Sequence, residues 1–142
     1  MKRNLTLTIW LTAAISGGMA ALALTWIGDA IGAFLESVSP LNLRSWEMAA
    51  LQISIVNAIT GMVAGYAGAL SYRWARGLVG GAFIHFAVFA AFLATSESFR
   101  AAPATVNLWM LWIGIVGGAG AGALGGLIAQ FAFPAPHMFS RR

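Results

Sequence analysis

Residues 105–133 read TVNLWMLWIGIVGGAGAGALGGLIAQFAF, an apolar run without a single charged side chain. A helix rises ~1.5 Å per residue and the hydrocarbon core of a bilayer is ~30 Å thick, so about 20 such residues suffice to cross it. Within the run Gly114, Gly118, Gly122 and Gly126 recur at four-residue spacing, with Gly117, Ala121 and Gly125 beside them. Spacings of three and four gather residues on one side of a helix. The result is a broad face lacking side chains, on which a second backbone can lie closely. Lipid tails give apolar helices no hydrophobic reason to associate, so dispersion across such faces is a main source of packing. The stretch predicts a membrane-crossing helix with a dedicated packing face.

Three further runs, 5–27, 47–72 and 77–96, meet the same length requirement. The expected fold is all-α: a four-helix transmembrane bundle with short loops, in one integral membrane domain over 1–142. Composition agrees, since 60% of the residues are hydrophobic and 8% charged, against ~25% charged in soluble domains. No cysteine is present, which removes disulfides, iron–sulfur ligation and thiolate chemistry. The net charge of +4 does not point to nucleic acid, because the basic residues sit at span ends and form no single patch.

That placement sets the expected topology. Lys2, Arg3, Arg73, Arg76, Arg141 and Arg142, six of the eight basic residues, fall on one side of the four spans. Arg44 and Arg100 fall on the other, near Asp29, Glu36, Glu47 and Glu97. Cytoplasmic loops collect Lys and Arg, so both termini are expected in the cytoplasm and the location is a cell membrane, a bacterial inner membrane. Trp26, Trp46, Trp109 and Trp112 fall near one boundary and Tyr66, Tyr72 and Trp74 near the other, as aromatic rings at headgroup depth do. Lys2-Arg3, the apolar run and the small residues of 16–23 imitate a signal peptide. Apolar character continuing through Trp26, Ile27, Ile31 and Phe34 favours a retained helix.

If the first span ran unbroken to Leu35 it would reach ~46 Å, so a tilt, a projection or a bend near Gly28 is expected. Asp29 is then expected at or beyond the outer interface, ~20 Å in depth from His85, too far for a relay. Ser39-Pro40 and Asn42 mark the first outer loop, and 97–104 the second, ending in Pro103. The link 73–76 is short enough to make the second and third helices antiparallel neighbours. Pro134 and Pro136 end the fourth helix.

Two candidate constellations follow. Gly61, Gly65 and Gly68 of the second span, with Ala64 and Asn57, form a shorter counterpart to Gly114, Gly118, Gly122 and Gly126. These faces are expected to pack the second helix on the fourth, or to meet another chain. His85 and Asn57 count to similar depths near the midplane, with Ser16 and Gly114 at that level. Polar groups there are costly unless they face the bundle and find partners, so a His85–Asn57 contact joined by Ser16 is expected. It serves as a hydrogen bond that fixes register or as a substrate or proton site, a histidine being able to change charge near neutral pH.

No catalytic, metal-ligand or cofactor-binding residues are expected. His137 lies beyond the fourth span, so it cannot pair with His85 on a haem, and Ser16 or Ser54 beside His85 lacks an orienting acid and an oxyanion motif. The expected partners are the lipid bilayer and either further copies of the chain or a larger membrane complex, with no nucleic acid. The leading expectation is a small non-enzymatic accessory subunit or self-associating membrane component. The alternative is a small-solute or ion transporter or channel with a midplane polar site. They differ in one observable: a transporter needs a polar cavity reaching the His85–Asn57 level, whereas a packing subunit has a sealed interior and glycine faces turned outward.

Overall fold

In the computed structural model the described residues, 2–38, 47–101 and 103–132, are almost entirely helical and contain no strand. Ser39, Pro40, Asn42, Arg44, Trp46, Pro134, Pro136, His137, Arg141 and Arg142 lie outside the described residues. The elements are α1 (Lys2–Val38), α2 (Glu47–Ser71), α3 (Trp74–Thr95), α4 (Glu97–Ala101) and α5 (Ala104–Ala132). Among the described residues four helices are long and apolar enough to cross a membrane, over Thr6–Leu35, Ile53–Ser71, Trp74–Thr95 and Ala104–Ala132. The chain is a four-helix bundle of multi-pass membrane type.

α1 is a single helix of 37 residues with no break at Gly28. Its extension has a surface to lie on. The Ile113 side chain of α5 covers Gly28 and the Trp109 ring covers Gly32. At the other end of the bundle Ala13, Ala69 and Ala129 of α1, α2 and α5 bury one another, with Trp10 and Ile128 packed against them. α1 rests on α2 and α5, and α3 on α5 and α2, so α1 and α3 occupy opposite corners.

The α2–α3 connection is tighter than the sequence suggests, because Trp74, Ala75 and Arg76 already belong to α3. Only Tyr72 and Arg73 lie between the helices, and Tyr72 takes a left-handed backbone (φ 51°). That conformation costs a non-glycine residue ~1–2 kcal/mol. Local bonds offset it: the Tyr72 amide donates to Ala69 O at 3.2 Å and the Arg73 amide to Ser71 Oγ at 3.3 Å. The backbone of Arg73 and Trp74 then rests on Gly126, where any side chain would displace it.

The connection between α3 and α5 also differs from a plain loop. The five residues of α4 form a short helix there. Pro103 follows, and its carbonyl accepts the Asn107 amide at 3.1 Å. Proline is tolerated at this position because the first amides of a helix have no intrahelical partner.

Candidate functional site

Three of the four long helices send a buried polar side chain to one level of the bundle, and the fourth meets them with a glycine. Asn57 Nδ2 of α2 donates to Thr25 Oγ1 of α1 at 2.9 Å, and that hydroxyl donates to Ala21 O at 2.8 Å. His85 of α3 lays its imidazole directly over Gly114 of α5, filling the space a side chain would take. Thr25, Asn57 and His85 are 2%, 4% and 5% exposed. Thr60, one turn along α2, is equally buried and donates to its own helix at Val56 O, 2.7 Å away. A Thr hydroxyl bonded to the carbonyl four residues back can still accept, which is how Thr25 holds Asn57.

Asn57 and His85 line one cavity of about 40 Å³, together with Ile53, Val56, Val88, Phe89, Phe92, Phe99 and Met110. No described residue hydrogen-bonds His85. The cavity extends from the polar layer toward the Thr95 end of α3. There α4 borders it: the Phe99 ring stands edge-on to Phe89 (centroids 6.1 Å apart, 76° between planes) and tilted against Phe92 (5.3 Å, 32°). Asn107 Nδ2 donates to Phe99 O at 2.9 Å, fixing the short helix to the start of α5. The arrangement is a small, partly open chamber, polar at its floor, apolar on its walls and bordered by the Phe99 ring. Among the described residues no three of His, Asp and Glu are grouped to share a metal ion.

Of the residues singled out from sequence, His85 and Asn57 line the same cavity and His85 lies on Gly114. The expected His85–Asn57 hydrogen bond is not formed, Asn57 donating to Thr25 instead, and Ser16 does not join them. Thr25 takes the place expected of Ser16. The register explains this: Ala13 and Gly17 lie on Gly65, and Ala21 lies on Gly61, which sets Ser16 more than two turns from Asn57. Asp29 also moves. It follows Gly28, which lies against Ile113, the neighbour of Gly114. Asp29 is therefore about one turn from the His85 level, where the sequence count gave ~20 Å. Phe99 and Asn107 were not anticipated, since aromatic residues in a short loop carry no signal of what they cover.

The glycine faces are used within the chain, and by more helices than expected. Gly118 and Gly122 of α5 meet the backbone of Gly81 and Gly77 of α3, and Gly126 meets the α2–α3 turn. Gly61 and Gly65 of α2 lie against Gly17, Ala13 and Ala21 of α1. Contact between α2 and α5 is carried by Gly68 on Gly122 and by Gly65 on Gly125. The small residues of α1 and α3 make these approaches possible.

A scan of family models and searches of curated proteins and of solved structures return no match to the chain.

Proposed function

We propose that this multi-pass membrane protein is a non-enzymatic transporter or channel for a small, neutral, hydrogen-bonding solute, handled at the Asn57–His85 layer. The observation that carries the reading is the cavity of about 40 Å³ reaching both side chains. The glycine faces that would serve a packing subunit are occupied by the chain's own helices, which weighs for this reading over the accessory-subunit alternative. A water site needs roughly 10–15 Å³, so the chamber suits a solute of about the bulk of three waters. Its remaining walls are apolar and aromatic. With no fixed countercharge on them, a permanently charged solute would lose its hydration without replacement. His85 and Asn57 supply a donor and an acceptor each, enough to hold an amide, an amine in its neutral form, or water. The Thr25 hydroxyl is engaged with Ala21 O and Asn57, so it serves the layer as a structural bond.

The test is solute flux into vesicles containing the purified protein, followed by stopped-flow light scattering with water, urea and methylamine. Permeability to at least one of these should exceed that of protein-free vesicles, and His85→Leu should return it to the background. Identical permeability of wild-type, His85→Leu and empty vesicles for all three solutes refutes the reading. A mass in mild detergent showing a fixed complex with a second protein, together with that null flux, would return the accessory-subunit role to first place.

A further inference from the structure

Asp29 is an exposed carboxylate in the part of α1 that should be surrounded by lipid. The shortest long helix, α3 with its 22 residues, is ~33 Å long, close to the ~30 Å hydrocarbon thickness, and so marks the depth of the apolar band. His85 lies near its middle, ~15 Å from either end. Thr25 shares the His85–Asn57 level, and Asp29 is four residues further along α1, ~6 Å. Its carboxylate therefore belongs ~9 Å inside the band. The surface on either side of it agrees. Trp26, one turn before, is 64% exposed, and Phe34 and Val38, beyond it, are 65% and 67% exposed. Placing Asp29 in water would place Phe34 and Val38 further into water still.

Nothing in the described chain answers this charge. Asp29 makes no hydrogen bond or ion pair with any described residue. Arg73 and Arg76 lie at the opposite end of α3, and Arg100 lies on α4 at the rim. Ionisable residues at this depth are rare, and almost always face protein or water and pair with an opposite charge or a carbonyl. Asp29 faces neither within this chain. A second copy docked two-fold along α1 would set two Asp29 carboxylates together, with no described cation of either copy at that depth.

We infer that the outer half of α1, along Trp26, Asp29 and Ala33, is an intramembrane docking surface for a helix of a different membrane protein that presents a lysine or arginine about one turn from the bilayer centre. Trp26 offers an apolar anchor one turn to one side and Ala33 a close approach one turn to the other, as i and i+4 neighbours do on a helix face. The inference does not rest on the transport reading, since this surface lies outside the chamber.

The experiment uses the full chain in phosphatidylcholine vesicles with leucine-rich transmembrane peptides, association being read by energy transfer between labels on the two. One peptide carries a single lysine a turn from its centre, one has none, and one carries it two turns further out. The first should bind the wild-type chain about tenfold tighter than either other, and that preference should vanish in Asp29→Leu and Asp29→Asn. Equal binding of all three peptides, or a lysine preference that survives both substitutions, overturns the inference. So does a wild-type dimer, lost in Asp29→Asn, that excludes the peptides, for then the occupant is a second copy. Asp29 points outward, so Asp29→Leu should keep the wild-type thermal midpoint; if it fails to fold, Asp29→Asn alone decides.

Discussion

On the Trp74 side of the Thr25–Asn57–His85 level the helices approach chiefly through backbone at small residues, whereas on the Phe99 side long side chains stand between them. Gly65 lies on Ala13 and Gly17, Gly68 on Gly122, Gly125 on Gly65 and Gly126 on the Arg73–Trp74 turn. Toward Phe99, in contrast, Gly28 and Gly32 are covered by the long side chains of Ile113 and Trp109, and α2, α3, α4 and α5 meet around a cavity. Backbone-to-backbone approach leaves nothing that can rotate aside. Side-chain contacts do, at the cost of a rotamer change. The half joined by backbone contacts is therefore expected to be the stiffer, and the half holding the polar chamber the more readily opened. The Asn57–Thr25 bond and His85 sit at the boundary.

Gly122 offers the sharpest way to break that contrast. It contacts the Gly77 carbonyl and Gly81 Cα of α3, and its own carbonyl lies against Gly68 of α2. Overpacking by single methyl groups costs ~1–3 kcal/mol where neighbours can shift, and backbone neighbours shift least. Gly122→Ala should lose about that much, and Gly122→Leu should fail to give a monodisperse species in detergent, read by thermal unfolding and gel filtration. Gly32→Ala, whose new methyl would meet only the Trp109 ring at 3.3 Å, should fold and unfold within ~1 kcal/mol of wild type. Equal effects at the two sites would erase the distinction between the halves.

Phe99→Ala ranks next and probes the soft half. Each aromatic pair contributes ~0.5–1.5 kcal/mol, so losing those with Phe89 and Phe92 should destabilise by roughly 1–3 kcal/mol. Its larger consequence is access. The chain has no cysteine of its own, so Met110→Cys in the cavity wall can be labelled cleanly. A membrane-impermeant maleimide should modify it several-fold faster when Phe99 is alanine. An unchanged labelling rate would mean that Phe99 does not limit access.

Membrane class and helix number were legible because length and apolarity are properties of the run itself. The common level of His85, Asn57 and Gly114 was legible for a related reason, since each can be counted from a charged or proline-marked span end near at hand, but the bond expected between His85 and Asn57 goes to Thr25 instead. The first helix had no such marker. Taking it to stop at Gly28 centred the span on Ser16, but glycine breaks a helix only where water can take up the released backbone groups, and Ile113 covers this one. The helix runs on to Val38, its centre shifts toward that end, Thr25 replaces Ser16, and Asp29 comes within about one turn of the polar layer. The partners of Gly118 and Gly122 were hidden for another reason. Any small residue accepts a glycine face, so the pattern names a contact without naming its partner.

The smallest expected effect tests that register directly. Thr25→Val preserves shape, removes the acceptor of the Asn57 amide, and leaves Ala21 O without its hydroxyl. Ser16→Ala removes a hydroxyl that lies away from the polar layer. Interhelical hydrogen bonds in membranes average about 0.6 kcal/mol and reach ~1.7. Thr25 is 2% exposed, so the Asn57 amide has little access to any other acceptor on that side, and Thr25→Val should fall within this range. Ser16→Ala should lie within ~0.5 kcal/mol of wild type, as substitutions away from packed or bonded features do. Asn57→Leu combined with Thr25→Val supplies the control: if the bond is the shared term, the double variant loses less than the sum of the single ones. Reversible unfolding in mixed micelles measures all four. Should Ser16→Ala prove the costlier of the two hydroxyl deletions, the bonded pair is not Thr25 and Asn57, and the depth assigned to Asp29 moves with it.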